Sequence, residues 1–245
     1  VITWDLATLG FGTVFKIGES FMRLLGFLVL LIHLFAVDAI AVTVTSYKHF
    51  STSIGYQDYT TRTDLTESQK LALDNYKSTA VYELIQGYLV DSEKYKDESV
   101  FVINSQHKIE KRNSTILGEF SDEIQNAIYN SPILPGGLYL FRGQSDIQLG
   151  IGESFKRKGF TSTSLNPNEA NKFNRGSLLY IRIPPNGFPG ILTGRWEEEV
   201  LLPFGTTFLI IDRKMNENGN SRILVEPCFK KCRQIDDLRR EVGEW

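Results

Sequence analysis

Trp196-Glu197-Glu198-Glu199-Val200-Leu201-Leu202-Pro203 runs three carboxylates straight into an apolar strand. In an extended chain alternate side chains share a face, and two residues advance by roughly 6.5–7 Å. The stretch therefore predicts Glu197 and Glu199 on one face and Glu198 on the other. Two carboxylates at that spacing suit a substrate gripped from one side. Read alone, the same three acids also describe a solvated strand edge, so the residues around them decide.

Working outward, the second half of the chain reads as strands. After Gly136-Gly137 the apolar residues fall into short runs, at Leu138–Arg142, Gly159–Ser162, Leu178–Ile183, Val200–Leu202, Thr207–Asp212 and Arg222–Glu226. Gly and Asn punctuate them, as in Asn216–Asn220. The preceding half is helical. Thr66 with Gln69 three residues later forms a capping box. Leu71, Tyr76, Ala80, Leu84 and Tyr88 then recur as an apolar stripe, with a break expected near Asp74–Ser78. A third helix is expected over Asp122–Tyr129, closed by Pro132 and Pro135. Residues 92–112 are charged and weakly patterned, which predicts a loop with a short helix. Helices first and strands second is an α+β arrangement: an N-terminal helical lobe at about 60–132 packed on a β core at about 137–228.

Two elements of the β half carry polar groups suited to an anionic ligand. Arg142 ends Leu138-Tyr139-Leu140-Phe141-Arg142 and is followed by Gly143. A guanidinium fork there matches phosphate, and a glycine lets a ligand approach the backbone. In Gly159-Phe160-Thr161-Ser162-Thr163-Ser164 the Ser162 and Ser164 hydroxyls share a face of an extended chain and Thr163 lies opposite. Singly, these are also an ordinary surface arginine and an ordinary strand end.

The bulk numbers remove other classes. At 245 residues with 42% apolar content the chain can bury a core, and its net charge of −2 argues against a nucleic-acid partner held through phosphates. His33, His49, His107, Cys228 and Cys232 lack metal-ligand spacing, so no metal site is expected. Gly150 and Gly152 lack the third glycine of a dinucleotide fingerprint. Near the start, Met22-Arg23 precedes an almost wholly apolar run from Leu24 to Val37, then Ala39 and Ala41. These are the parts of a secretory signal peptide over Met22–Ala41, with Val1–Phe21 upstream of it and a single domain over 42–245. The competing reading is a membrane anchor through residues 24–44; the run is short for a span and extending it takes in Asp38.

An Arg-Gly strand, a Phe-x-Ser-Thr-Ser strand and a Glu-x-Glu-Val-Leu-Leu strand, in that order, resemble the Arg-Ser-Glu class of ADP-ribosyltransferases. The resemblance is strongest to the exoenzyme family, which includes the enzymatic components of clostridial binary toxins and insecticidal relatives. It covers roughly residues 62–226, with Leu65–Lys70 and Asp74-Asn75-Tyr76 resembling the family's opening helix. It implies a mono-ADP-ribosyltransferase fold with a β-sandwich core, and NAD as donor. By matched position, Arg142 anchors NAD through phosphate, Gly143 meets the nicotinamide amide through backbone, and Ser162 supports the catalytic glutamate and the NAD site. Thr163 and Ser164 complete that motif, chiefly as scaffold. Glu199 matches the catalytic glutamate, and Glu197 the upstream acid that accompanies an arginine acceptor. Arg175 matches a later phosphate-contacting arginine. Phe141 stands where some binary-toxin enzymes carry a second arginine, and Trp196 lies closer to Glu197 than the family's acceptor-loop aromatic. The implied activity is transfer of ADP-ribose from NAD to a protein arginine with release of nicotinamide, by a secreted monomer needing no metal. The alternatives are an NAD glycohydrolase and a catalytically inactive binding module. The target protein and any delivery partner are not legible. Cys228 and Cys232 pair in an oxidising compartment and are otherwise two thiols beside a basic run; the sequence leaves both open.

Overall fold

A computed structural model describes residues 57–194, 198–216, 219–229, 231–243 and 245. All of them fall in one compact unit, Thr43–Trp245. The expected signal peptide, the alternative anchor, Trp196 and Glu197 lie outside the described residues.

The helical lobe opens at Thr66, where the expected capping box is complete: its hydroxyl accepts from the Gln69 amide and the Gln69 side chain accepts from the Thr66 amide. Helix α1 (Glu67–Lys77) and helix α2 (Thr79–Val90) are divided at Ser78, whose extended backbone ends one helix and begins the next. Helix α3 spans Thr115–Tyr129, seven residues longer at its start than expected, because Leu117 and Phe120 already carry the buried face that Ile124 and Ile128 continue. The stretch expected as loop is instead a 3-10 turn at Ser92–Tyr95 followed by an antiparallel hairpin, β1 (Ser99–Ile103) and β2 (Ile109–Asn113). The buried amide of Asn75 clips this hairpin to α1, donating to the Ile103 carbonyl and accepting from the Ile103 amide, both at 2.8 Å.

The second half forms β3 (Tyr139–Ser145), β4 (Ser154–Lys156), β5 (Thr161–Ser164), the short helix α4 (Pro167–Asn171), β6 (Gly176–Arg182), β7 (Ile191–Gly194), β8 (Glu199–Leu202), β9 (Thr207–Met215), β10 (Ser221–Cys228) and helix α5 (Ile235–Val242). The six expected strands are present; β4 and β7 are additional. The sheet order is β4-β9-β10-β6-β3-β5-β8-β7. Between β3 and β5 a single pair, Phe141 with Ser164, joins the ladders. Leu140, Ile181, Phe208 and Ile223 from one side of that joint pack with Leu192, Val200 and Leu202 from the other in one buried cluster. The strands therefore act as two half-sheets folded face to face and hinged at one pair, the physical content of the expected sandwich core.

Alternation along β8 decides what each face meets. Val200 and Leu202 enter the cluster between the half-sheets, whereas Leu201 points the other way and packs with Ile191 and Phe160 among Leu73, Tyr76, Ile85 and Phe120 of the helical lobe. Each such side chain taken from water contributes about 1.5–3 kcal/mol, so one strand bonds the two lobes together. On the outer face, Leu238 of α5 packs on Leu209, Ile211 and Leu224. A disulfide joins Cys228 to Cys232 with Cα atoms 5.1 Å apart, which resolves the two readings of that pair.

Candidate active site

Glu199 is the first residue of β8 and shares the face of Leu201 that meets the helical lobe. Strand β5 lies antiparallel beside it, with Ser162 opposite Leu201 and Ser164 opposite Glu199. The diagonal places the Ser162 hydroxyl on the carboxylate, donating to Oε1 at 2.5 Å. On the other flank, the fully buried Thr193 of β7 donates to Oε2 at 2.6 Å. Both oxygens of Glu199 are thus held by hydroxyls on the two strands that flank β8. Arg142 closes the group from β3: its Nη1 donates to the Ser162 carbonyl at 2.5 Å, and its buried Nε has no partner among the described residues.

The alternation expected across the three acids is interrupted at Glu198, and Glu197 lies outside the described residues. Glu198 has φ +48°, in the left-handed region that non-glycine residues seldom occupy. The extended run of β8 therefore begins at Glu199. The Glu198 carbonyl accepts from the Leu165 amide at 3.0 Å, which anchors the turn to the end of β5. A left-handed glutamate has no signature in sequence.

The remaining expected residues divide. Thr163 is buried on the opposite face of β5, where its hydroxyl donates to the Val200 carbonyl at 2.6 Å, a bond that fastens β5 to β8. A Cβ on Gly143 would stand 2.2 Å from the Ala170 carbonyl oxygen and 2.6 Å from the Asn174 amide nitrogen. The space that its missing side chain leaves is filled by the chain's own backbone, at Ala170 of α4 and at Phe173 and Asn174 after it. Arg175 is tied to β3 by its amide, which donates to the Gln144 carbonyl at 3.1 Å, and its side chain is exposed. Phe141 faces the other side of β3, edge-on to Tyr180 at 5.2 Å between ring centres.

Several groups around Arg142 and Glu199 escaped the sequence reading. Arg157, in a charged run that reads as solvated surface, donates from Nη1 to Gln144 Oε1 at 2.9 Å. Burial, and then the field of Arg142, pull its pKa down to about 10. Thr193 sits in a strand that was not identified. From the helical side, Gln86 Nε2 donates to the Tyr76 hydroxyl at 2.9 Å and to the Phe160 carbonyl at 3.0 Å, which ties α2 to the chain entering β5. The Tyr76 phenol is pushed well up by burial and then by the charge of Glu199. Tyr59 is pushed up by burial and by its hydrogen bond to Asp74. Both phenols stay neutral, and the charge of Glu199 adds to both shifts. No group of three or more His, Cys, Asp or Glu among the described residues is arranged to hold a metal ion.

The same residues fall within a match to a known family. The ADP-ribosyltransferase exoenzyme model covers residues 51–231, about three quarters of the sequence. The chain belongs to the ADP-ribosyltransferase exoenzyme family. No curated protein matches it in sequence. Among solved structures, the ADP-ribosyltransferase Vis, a toxin from Vibrio splendidus, superposes with a TM-score of 0.55 at 19% identity, covering 80% of this chain and 85% of Vis. Plx2a, an ADP-ribosyltransferase toxin from Paenibacillus larvae, gives 0.54 at 20% identity over 75% of this chain and 96% of its own. The enzymatic component C2-I of the Clostridium botulinum C2 toxin gives 0.52 at 17% identity, over 75% of this chain and 47% of C2-I. At these identities the likeness is one of fold, in line with the α+β architecture described above.

Proposed function

We propose that the chain is an NAD-dependent protein-arginine mono-ADP-ribosyltransferase. The observation that carries the reading is the Glu199 carboxylate, fixed at both oxygens by Ser162 and Thr193 with Arg142 bonded to the Ser162 backbone. Cleaving the nicotinamide–ribose bond builds positive charge on the ribose, as in glycoside hydrolysis. A carboxylate already held in place stabilises that charge without having to reorganise. Nicotinamide leaves with the bonding electrons, which neutralise its ring nitrogen, so no general acid is required. Arg142 supplies a fork for the donor's phosphates, and its unpartnered Nε is an unmet polar group of the kind that gathers at ligand sites. Arg175 and the backbone at Gly143 complete the donor side of the proposal.

The acceptor side rests on Glu197. A guanidinium is a poor nucleophile until a carboxylate orients it and takes its proton. The guanidine nitrogen then bonds to the ribose carbon that nicotinamide leaves, and the proton passes to Glu197. Vis has been crystallised with agmatine, a small guanidine, which supports an arginine-like acceptor by analogy. The BECa toxin of C. perfringens, with a TM-score of 0.50, has been crystallised with NADH, which supports a dinucleotide donor in the same way. The Cys228–Cys232 disulfide suits a chain that works outside a reducing cytosol. The test is Glu197→Gln, assayed for nicotinamide release and for ADP-ribosyl-agmatine. Retained release with suppressed transfer is the expected pattern. Unchanged transfer removes Glu197 from the acceptor's side, and release without transfer in the unaltered chain makes it a glycohydrolase.

A further inference from the structure

We propose that Arg157 is a second arginine contact for the diphosphate of the dinucleotide, acting beside Arg142; this rests on the NAD reading above. The argument starts from where its backbone is held. The Arg157 amide donates to the Thr206 carbonyl at 2.9 Å, and the Arg157 carbonyl accepts from the Gly205 amide at 2.8 Å. The turn after β8 therefore clamps the residue on both sides and sets the direction of its side chain. The guanidinium then docks on Gln144 Oε1. Gln144 and Arg142 are two residues apart on β3 and share a face. Two guanidiniums from separate segments are thus delivered to one face of one strand.

Neither has a carboxylate partner among the described residues. Among the described residues the ion pairs engage Arg62, Arg112, Arg182, Arg233 and Arg240, and neither Arg142 nor Arg157. Both are half-buried. Two like charges taken partly out of water and left uncompensated cost stability, as the reduced proton affinity of Arg157 reflects. A dianion set between them reverses that cost and meets both forks with charge-assisted hydrogen bonds. The geometry also says which dianion. Arg142 is bonded to Ser162, and Ser162 to Glu199, so Arg142 stands one residue from the carboxylate at which the ribose would react, with Arg157 held on the same face of β3 by Gln144. The diphosphate next to that ribose is the dianion within this span. Gln144 is the positioning residue, since its amide oxygen orients Arg157.

The experiment uses the intact chain, with ADP-ribose as the binding probe and NAD as the substrate, in wild type, Arg157→Gln, Arg157→Lys and Gln144→Glu. Losing one charge-assisted bond should weaken ADP-ribose binding at least about ten-fold. KM for NAD should rise about ten-fold with kcat changed by less than about three-fold. Because the substitution relieves repulsion, the melting temperature of the unliganded Arg157→Gln variant should stay level or rise, whereas a merely structural arginine would lower it. Arg157→Lys should fall between the two. Gln144→Glu, which supplies an internal carboxylate for Arg157, should raise the melting temperature and weaken ADP-ribose binding with Arg157 still present. Unchanged ADP-ribose affinity in Arg157→Gln and Gln144→Glu, against a wild type that binds, overturns the role of Arg157 alone. A destabilised Arg157→Gln with kcat and KM impaired together also overturns it. A wild type that binds neither ADP-ribose nor NAD overturns this inference together with the NAD reading.

Discussion

Glu199→Gln is the perturbation on which the site's chemistry can be weighed. The replacement keeps the shape of the side chain, so the hydroxyls of Ser162 and Thr193 retain something to bond to. One still donates to the amide oxygen, and the other rotates to accept from the new NH₂. The fold should survive: neutral hydrogen bonds replace charged ones at a cost of about 1–2 kcal/mol, partly offset because no charge remains half-buried. For a domain of this size that is a shift of a few degrees in melting temperature. The rate should respond far more. A full positive charge about 4 Å from a carboxylate is stabilised by about 4 kcal/mol at an effective dielectric of about 20. With between half and all of that charge developed at the transition state, about 2–4 kcal/mol disappears, or about 1.5 to 3 powers of ten. Nicotinamide release, followed by chromatography at 25 °C on variants with matched circular dichroism, should fall by about 30- to 1,000-fold. Release within about three-fold of wild type would refute the assignment of Glu199.

Other expectations follow from the same geometry. Thr193→Val removes one of the two hydroxyls on Glu199 and should lower nicotinamide release by about 10–100-fold, the worth of a hydrogen bond to a charged group; a rate equal to wild type would leave Ser162 alone as the support. Gly143→Ala drives a Cβ into the backbone at Ala170 and Asn174, and should lower the melting temperature by several degrees through about 1–3 kcal/mol of overpacking; an unshifted melt would mean that α4 yields freely. Glu241 is held down from 4.5 to about 2, first by its hydrogen bond to Arg233 and also by Arg182. A carboxyl depressed in the folded state stabilises above its unfolded pKa and loses that contribution as pH falls. Wild type should therefore lose stability relative to Glu241→Gln between about pH 4.5 and 2, as read by acid melts; parallel curves across that window would contradict the assignment.

Much of this fold was legible because local signals and tertiary packing agree. Thr66 and Gln69 announce a helix start that the structure completes, and Ser78 breaks the stripe where α1 and α2 part. The strands read correctly are those with buried runs, such as Leu178–Ile183 and Thr207–Asp212. The hairpin β1–β2 was not legible, because β1 buries only Val100 and Val102 and β2 presents Glu110, Lys111 and Arg112 largely to solvent. A hydrophobic period cannot be seen in a strand that buries almost nothing.

The candidate site was legible where a residue matched a motif, and illegible where tertiary geometry supplied the role. Ser162, Glu199 and Arg142 come together as their pattern implied. Thr193 reaches Glu199 from an unrecognised strand, and Arg157 reaches Gln144 on β3 from a charged run. Their roles depend on what lies across the sheet, which no spacing along the chain encodes. The three-acid stretch shows the limit most clearly. Alternation assumes extended backbone, and a single left-handed residue at Glu198 ends its reach one residue before Glu197.

The central claim is that a fixed carboxylate at the start of β8 breaks the nicotinamide–ribose bond of NAD and hands the sugar to a guanidine. Its most direct test is incubation of the intact chain with NAD and agmatine, with both products quantified by mass spectrometry. The account predicts nicotinamide and ADP-ribosyl-agmatine in comparable amounts, with both lost in Glu199→Gln. Nicotinamide at the level of an enzyme-free blank would contradict it.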